Sequence, residues 1–367
     1  MPLYMDFHIF PDVTIEEVKL AHIADLKVQE KYRVKYHQFW VNEEAGTVFC
    51  LMEGPDKESC ARVHREAHGG VACQITEVEG GFYDVIMGNN LQIDQGLVRH
   101  EDGSVDSGVR VVMVVSIIGH TRITHASQYR KLVLPEKPKA CAIRKIIQHG
   151  GRLVQNLKDD SIICSFVHAA QAVDCSLELQ QELRSRKSRF PGTEWDSSFR
   201  IGINGGQPLT EKEGFFQKTI NLAYQLSLIG DDQEIIASQI VEKLYGEGHR
   251  LRKHPDIRIL GPKEEEFLTM LFESANSSMG EMDWNISHLS REIGVSRPQL
   301  YRKVTALTGR SPVNFIRDLK MNKALFLLKD RQRNITEVAL ELGYSNPSYF
   351  AKCFQEKFGV TPSKALI

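Results

Sequence analysis

Apolar and polar positions alternate with a period of two over residues 4–10, a short strand that Pro11 ends. Thr14-Ile15-Glu16-Glu17 then makes a capping box, and the pattern lengthens into a helix that runs to about residue 30. Residues 34–41 and 47–53 alternate across a turn at Gly46 and predict a hairpin. A second helix is expected over 56–69 and a last strand over 74–78. Beyond a polar, glycine-rich stretch at 89–108, read as a linker or a long hairpin, a strongly β-branched strand covers 110–118. A helix over 138–149, a hairpin of 152–157 with 161–166, and a helix over 168–186 follow. The pattern then predicts a strand at 199–204, a helix at 215–228, and a strand at 234–237 leading into a helix at 238–244. Residues 248–262 are basic, contain proline and read as a tether before a helix at 263–275.

The last quarter is a repeat. Ile293-Gly294-Val295-Ser296-Arg297-Pro298 lies over Leu342-Gly343-Tyr344-Ser345-Asn346-Pro347, with Gly, Ser and Pro at one constant offset. The same offset sets Glu292 on Glu341, Leu300 on Tyr349, Tyr301 on Phe350 and Lys303 on Lys352. Each copy reads as two short helices. The glycine can end the first in a left-handed conformation, the serine caps the second, and the proline falls in its first turn. Ile286, Leu289 and Ile293, then Leu300, Val304 and Leu307, supply the buried sides of the first copy. Ile335, Val338, Ala339 and Leu342, then Tyr349, Phe350, Cys353 and Phe354, supply those of the second. One connecting helix over 313–329 joins them.

Charge is distributed unevenly. From Trp284 onward there are 14 Lys and Arg against 6 Asp and Glu, leaving 32 basic and 41 acidic residues in the rest of a chain whose formal net charge is −1. One strongly basic end on a near-neutral protein suits a polyanion. The 7 scattered cysteines point to reduced thiols in a cytoplasm, and no signal-like or membrane-spanning apolar run is expected, so no membrane partner is either.

The second copy, A-L-E-L-G-Y-S-N-P-S-Y-F-A-K-C-F-Q-E-K-F-G-V-T-P from Ala339 to Pro362, resembles the signature of the AraC/XylS class of transcription regulators. That resemblance implies two helix-turn-helix units whose second helices, 297–307 and 346–356, enter successive major-groove segments. Arg297, Gln299, Arg302, Asn346 and Ser348 are the residues chosen for base edges, with Lys303 and Lys352 on the same outer sides. Double-stranded DNA, RNA polymerase and a second copy in a homodimer are the partners implied.

Strand-helix-strand-strand-helix-strand over residues 1–83 is the ferredoxin-like order. His64 and His68 share a helix face, and His37 and Cys50 share a sheet face for registers whose paired numbers sum to an odd value. Imidazoles and a thiolate converging there would suit a borderline transition metal, with His8 and Glu53 as weaker ligands. Phe49-Cys50-Leu51 and Val63-His64-Arg65-Glu66-Ala67-His68-Gly69 resemble a small nickel-binding family of this fold, which implies nickel or a similar ion.

The element order at 108–248, with I-I-G-H-T at 117–121, F-R-I-G-I-N at 199–204 and T-I-N-L-A at 219–223, resembles class III nucleotidyl cyclases. Against that family Ser116 stands at the first metal aspartate, Asp159 keeps the second, and Gln155 and Gly214 replace the purine-reading pair. Asn221 keeps the ribose-orienting residue, and Gln225 replaces the transition-state arginine. One carboxylate cannot hold two divalent ions against a triphosphate, and the lost arginine removes charge stabilisation at phosphorus. A pseudocyclase without catalysis or a nucleotide cofactor is the expectation.

The expected fold class is therefore multidomain α+β: a ferredoxin-like sandwich at 1–83, a linker at 84–107, a cyclase-like α/β domain at 108–248, a linker at 249–262 and an all-α tandem helix-turn-helix at 263–367. The expected function is a transcription regulator gated by a metal or small ligand. The competing readings are a nucleotidyl cyclase with a DNA-binding appendage and a metal-buffering protein.

Overall fold

The computed structural model describes every residue except 89–91, 119–121, 124–129, 132–135, 155–160, 190–197, 211–212, 247, 282–284, 330–332 and 366–367. The first part runs β1 (Leu3–Ile9), α1 (Ile15–Val28), β2 (Lys35–Asn42), β3 (Thr47–Glu53), α2 (Lys57–Ala67), β4 (Gln74–Val78), α3 (Gly80–Met87), β5 (Gln92–Asp94) and β6 (Leu97–Arg99). The strand order β4-β1-β3-β2 is ferredoxin-like, and β6 and β5 extend that sheet beyond β2. The linker expected at 84–107 is corrected here: α3 runs into its start, and the described part of 89–108 forms the β5–β6 hairpin, which belongs to the first sheet. Thr14 opens α1 with the expected capping box, its hydroxyl on the Glu17 N–H and the Glu17 carboxylate on the Thr14 N–H.

The middle part holds β7 (Arg110–Ile118), a two-stranded ribbon of β8 (Arg122–Ile123) and β9 (Arg130–Lys131), α4 (Glu136–Gln148), β10 (Arg152–Val154) and β11 (Ile162–Phe166). It continues with α5 (Ala169–Arg189), β12 (Ser198–Gly206), α6 (Gln217–Ile229), β13 (Ile235–Ala237), α7 (Gln239–Tyr245) and β14 (Ile257–Ile259). The sheet order is β10-β11-β7-β12-β13-β14. The expected tether at 248–262 is corrected here: Ile257 and Ile259 pair in parallel with Ile235 and Ala237, and Leu251, Ile257 and Leu260 are buried. A three-residue alternation beside Pro255 and four basic residues is too short a signal to stand out from a linker.

Strand alternation sorts the cores. Odd positions of β7, Val111, Met113 and Val115, face α4 and α5 through Ala142, Ile146 and Leu179. Even positions, Val112 and Val114, join Met5, Phe7, Trp40, Phe49 and Leu51 of the first sheet, with Phe215 and Phe216 among them. The other face of the first sheet, Phe39, Val48, Cys50 and Met52, packs on Val18, Cys60 and Val63 of α1 and α2. Helix α6 takes part in two cores: Ile220 and Ala223 lie in the cluster shared with the first sheet, Leu226 and Ile229 in the core of the carboxyl-terminal helices. Burying each such aliphatic side chain contributes about 1.5–3 kcal/mol. The helix lies so close to β12 that a Cβ on Gly202 would fall on the Ala223 carbonyl oxygen.

The carboxyl-terminal part is α8 (Pro262–Ser278), α9 (Ile286–Glu292), α10 (Arg297–Thr308), α11 (Pro312–Lys329), α12 (Ile335–Glu341), α13 (Pro347–Phe358) and α14 (Pro362–Ala365). Gly294 and Gly343 end the first helix of each copy with φ of 73° and 74°. The repeat does not keep one offset, however. Ser296 caps α10, whereas Asn346, not Ser345, caps α13. The turn of the second copy holds one residue more, so beyond it the offset grows by one. Leu300 then corresponds to Phe350, Val304 to Phe354 and Gly309 to Gly359, all in matching structural places. Tyr349, expected to be buried opposite Leu300, is 55% exposed.

Candidate metal centre and nucleic-acid interface

Helix α2 places His64 and His68 one turn apart over the first sheet, and α1 brings Asp25 against them from its last turn. His64 Nδ1 lies 3.0 Å from His68 Nε2 and 3.2 Å from Asp25 Oδ1, and His68 Nε2 lies 3.3 Å from the same oxygen. Ligand atoms bonded at about 2.0–2.1 Å to one ion stand roughly 3.0–3.4 Å apart, so this triangle already has the spacing of a metal-binding face. Asp25 Oδ1 is buried against the two imidazoles, and among the described residues Nδ1 of His8 and Nδ1 of His22 are buried without a hydrogen-bond partner. These groups line a cavity of about 520 Å³ together with Cys50 and Phe10.

The other side of His64 is different. Nε2 lies 2.6 Å from Asp6 Oδ2, too close for two ligands of one ion and right for a charge-assisted hydrogen bond. A carboxylate can only accept, so Nε2 donates, and Nδ1 is the nitrogen turned to the triangle. Tyr36 Oη lies 3.1 Å from the same Nε2, and His8 Nε2 lies 3.2 Å from Asp6 Oδ2. This is the arrangement in which an outer carboxylate orients a ligating imidazole. Burial disfavours a charged His64, but Asp6 and Asp25 outweigh it and raise the imidazole to about 10. Asp6, despite burial, is held far below the usual carboxylate range by His8 and His64. A cation at the triangle therefore competes with a proton on Nδ1.

Two nitrogens and a carboxylate oxygen suit a borderline divalent ion such as nickel or zinc, which would rest on Asp25, His64 and His68. The sequence pointed to His64 and His68 and to His8 as a weaker ligand, but gave no signal for Asp25 or Asp6. Cys50 lines the same cavity, where burial and the neighbouring Asp6 and Asp25 push its thiol well above its ordinary range, so an ion held there would have to displace its proton. His37 is not brought to the cluster. The β2–β3 register shifts between Tyr36 and Gln38, which makes His37 the extra residue of a bulge. Tyr36 takes the inward place, and His37 instead lies 3.2 Å from Glu53 Oε1, which removes Glu53 from the site as well.

At the other end, α10 and α13 expose Arg297, Gln299, Arg302 and Lys303, and Asn346, Ser348 and Lys352. Several of these are already engaged. Gln299 Oε1 accepts from the Ser296 N–H at 3.0 Å, and Asn346 Oδ1 accepts from the N–H groups of Ser348 and Tyr349 at 2.9 and 3.2 Å. Both are caps first. Lys303 stands over the Phe267 ring of α8, 4.7 Å from its centroid, so its charge leans toward the domain's own core. In the corrected frame Arg302 corresponds to Lys352, and Lys303 to the buried Cys353.

Of the cyclase positions, Ser116 Oγ lies 3.1 Å from both Ser161 Oγ and Ser227 Oγ. Asn221 is exposed and accepts from the Gln217 amide at 2.7 Å; among the described residues, Gln225 is buried with no partner for Oε1 and the space beside Gly214 is open. Gln155 and Asp159 lie outside the described residues.

Residues 4–78 match the family described as "Nickel responsive protein SCO4226-like", and residues 289–366 the family described as "Helix-turn-helix domain". The HTH-type transcriptional activator RhaS of Mannheimia succiniciproducens is 28% identical over 107 residues, 29% of this chain and 39% of RhaS. A crystal structure of SCO4226 from Streptomyces coelicolor A3(2) is 39% identical, covering 21% of this chain and 94% of that one, with a TM-score of 0.20. An adenylate/guanylate cyclase/hydrolase from Silicibacter pomeroyi is 26% identical, covering 37% of this chain and 78% of that one, with a TM-score of 0.30. The chain spans 39% or less of the length of these curated relatives. No helix among the described residues is long and apolar enough to cross a membrane. The chain thus carries a domain of the nickel-responsive SCO4226-like family at its amino end and a helix-turn-helix domain of the AraC type at its carboxyl end.

Proposed function

We propose that this protein is a sequence-specific, DNA-binding transcription regulator, dimeric and responsive to a transition metal. The observation that carries the reading is the pair of capped helices α10 and α13, each presenting a cation, Arg302 or Lys352, at the same exposed place. Such side chains meet phosphates or guanine edges when a recognition helix enters a major groove. The relatives named as transcriptional activators and regulators support the same use. Asp25, His64 and His68 are the effector site in this reading, with Asp6 orienting His64. An ion favours whichever arrangement of the readers it binds better, and that difference in affinity sets the response. The middle domain is a scaffold rather than a catalyst: the hydroxyls of Ser116, Ser161 and Ser227 cluster where the cyclase resemblance expects a metal-binding carboxylate.

Genome-wide capture of DNA fragments on the full chain, with and without nickel or zinc, tests the proposal. Enrichment of a common motif, shifted in affinity by the ion and lost in Arg302→Ala/Lys352→Ala, is the expected result. Indifferent binding to all fragments in every condition overturns it.

A further inference from the structure

Helix α1 has two working faces. Val18, His22 and Asp25 point inward, to the core and the metal triangle. On the opposite side, about 180° around at 100° per residue, Glu16, Leu20, Ile23 and Lys27 form one straight stripe at helical spacing. All four are exposed, Leu20 to 68% and Ile23 to 40%, and Leu26 beside them to 40%. An apolar pair in the middle of an exposed helix face, with an acid at one end and a base at the other, reads the same after a two-fold rotation. Set antiparallel on itself, the helix brings Glu16 to Lys27 of the partner subunit, Leu20 to Ile23 of the partner subunit, and each of these pairs twice.

We infer that α1 is the contact through which two copies of this chain associate, as an antiparallel helix pair with Leu20 and Ile23 at its centre and a Glu16–Lys27 ion pair at each end. The stripe runs roughly 16 Å from Glu16 to Lys27 at 1.5 Å per residue. A single helix pair covers less than the ~1,200 Å² of a standard stable interface, so association is weak in free solution. Two half-sites on one duplex raise the effective concentration and make it sufficient. The inference rests on the proposed regulator only for that last step. Because Asp25 lies on the same helix, an ion drawn to the triangle acts on the element that carries the dimer contact.

The test is sedimentation velocity of the full chain over a concentration series, without DNA or added metal, so that its failure is separate from failure of DNA or metal binding. Wild type should self-associate, and Leu20→Asp/Ile23→Asp should weaken the association at least tenfold. Glu16→Lys and Lys27→Glu each oppose like charges across the two-fold axis and should weaken it, while Glu16→Lys/Lys27→Glu restores opposite charges and should recover it. Near-ultraviolet circular dichroism confirms that the variants remain folded. A chain monomeric at every concentration overturns the inference. So does a dimer indifferent to Leu20→Asp/Ile23→Asp, or one that the double charge reversal fails to rescue.

Discussion

The carboxylate of Asp6 stands 2.6 Å from Nε2 of His64, at the ring nitrogen opposite the one that faces His68. One strand residue thereby decides which way a helix histidine presents its lone pair. Asp6→Asn should keep the fold and the three ligands but lower affinity for a divalent ion by about 10–100-fold. Asp25→Asn and His64→Ala/His68→Ala should abolish measurable binding, and His37→Ala should leave it unchanged. Isothermal titration with nickel and zinc on the full chain checks all four.

The one-residue slip between the repeats makes a second prediction. If Arg302 and Lys352 are the equivalent readers, replacing either by Ala should weaken operator binding and reduce its salt dependence by about one phosphate contact when the contact is to backbone. Lys303→Ala should act mainly on stability, costing about 0.5–1 kcal/mol through the lost contact with Phe267. Fluorescence anisotropy at several salt concentrations, beside thermal melts, separates the two effects.

The caps give a third. Asn346→Ala removes the acceptor for two N–H groups of α13 and should cost about 1 kcal/mol, while Ser345→Ala, one residue outside the helix, should be close to neutral. Equilibrium urea unfolding is the measurement. Equal losses would restore the constant offset.

Gly294 and Gly343 make a fourth. Both have positive φ, so Ala at either place costs roughly 1–2 kcal/mol of backbone strain. Among the described residues nothing lies within 4 Å of a Cβ on Gly294, but one on Gly343 would stand 2.8 Å from the Glu281 carbonyl oxygen. Gly343→Ala should therefore lower the melting temperature distinctly more than Gly294→Ala.

The buried pair of Asp106 and Arg110 makes a fifth. Arg110 is fully buried, its guanidinium on both Asp106 oxygens at 2.9 and 2.7 Å and on the Met87 carbonyl at 3.0 Å. Burial raises the Asp106 carboxyl, but Arg110 more than reverses this and holds it below its ordinary value. A carboxylate depressed in the folded state stabilises above its unfolded pKa, about 3.9, and that contribution is lost as pH falls through the folded value. Thermal melts from pH 7 to pH 2 should show a smaller acid-dependent loss in Asp106→Asn/Arg110→Met than in the wild type, whose other depressed carboxylates the variant keeps. Asp106→Asn alone should cost about 3–5 kcal/mol at neutral pH by leaving Arg110 unpaired.

Much of this was legible in the residues. The capping box at Thr14, the one-turn spacing of His64 and His68, and the repeated glycine-to-helix phrases are local signals, and local signals survive without knowledge of packing. What stayed hidden depends on contacts between distant segments. Asp25 looks like any polar residue on a helix, and Asp6 sits inside an alternating strand where a buried carboxylate has no signature of its own. His37 misled because a bulge changes face parity without marking the sequence. The offset misled because Ser345 and Asn346 are both good caps, and only the helix itself selects between them.

Helix α6 sets a limit on how this chain can be taken apart. Its first turns are sealed against the amino-terminal sheet and its last turns against α8, with a glycine strand pressed along its length. A fragment cut at the start of α8 would leave Phe267 and Leu271 without Leu226 and Ile229, and greasy surface of that kind invites precipitation. One short rod thus joins all three parts, and a fragment that omits it bares apolar side chains on each of the parts it served.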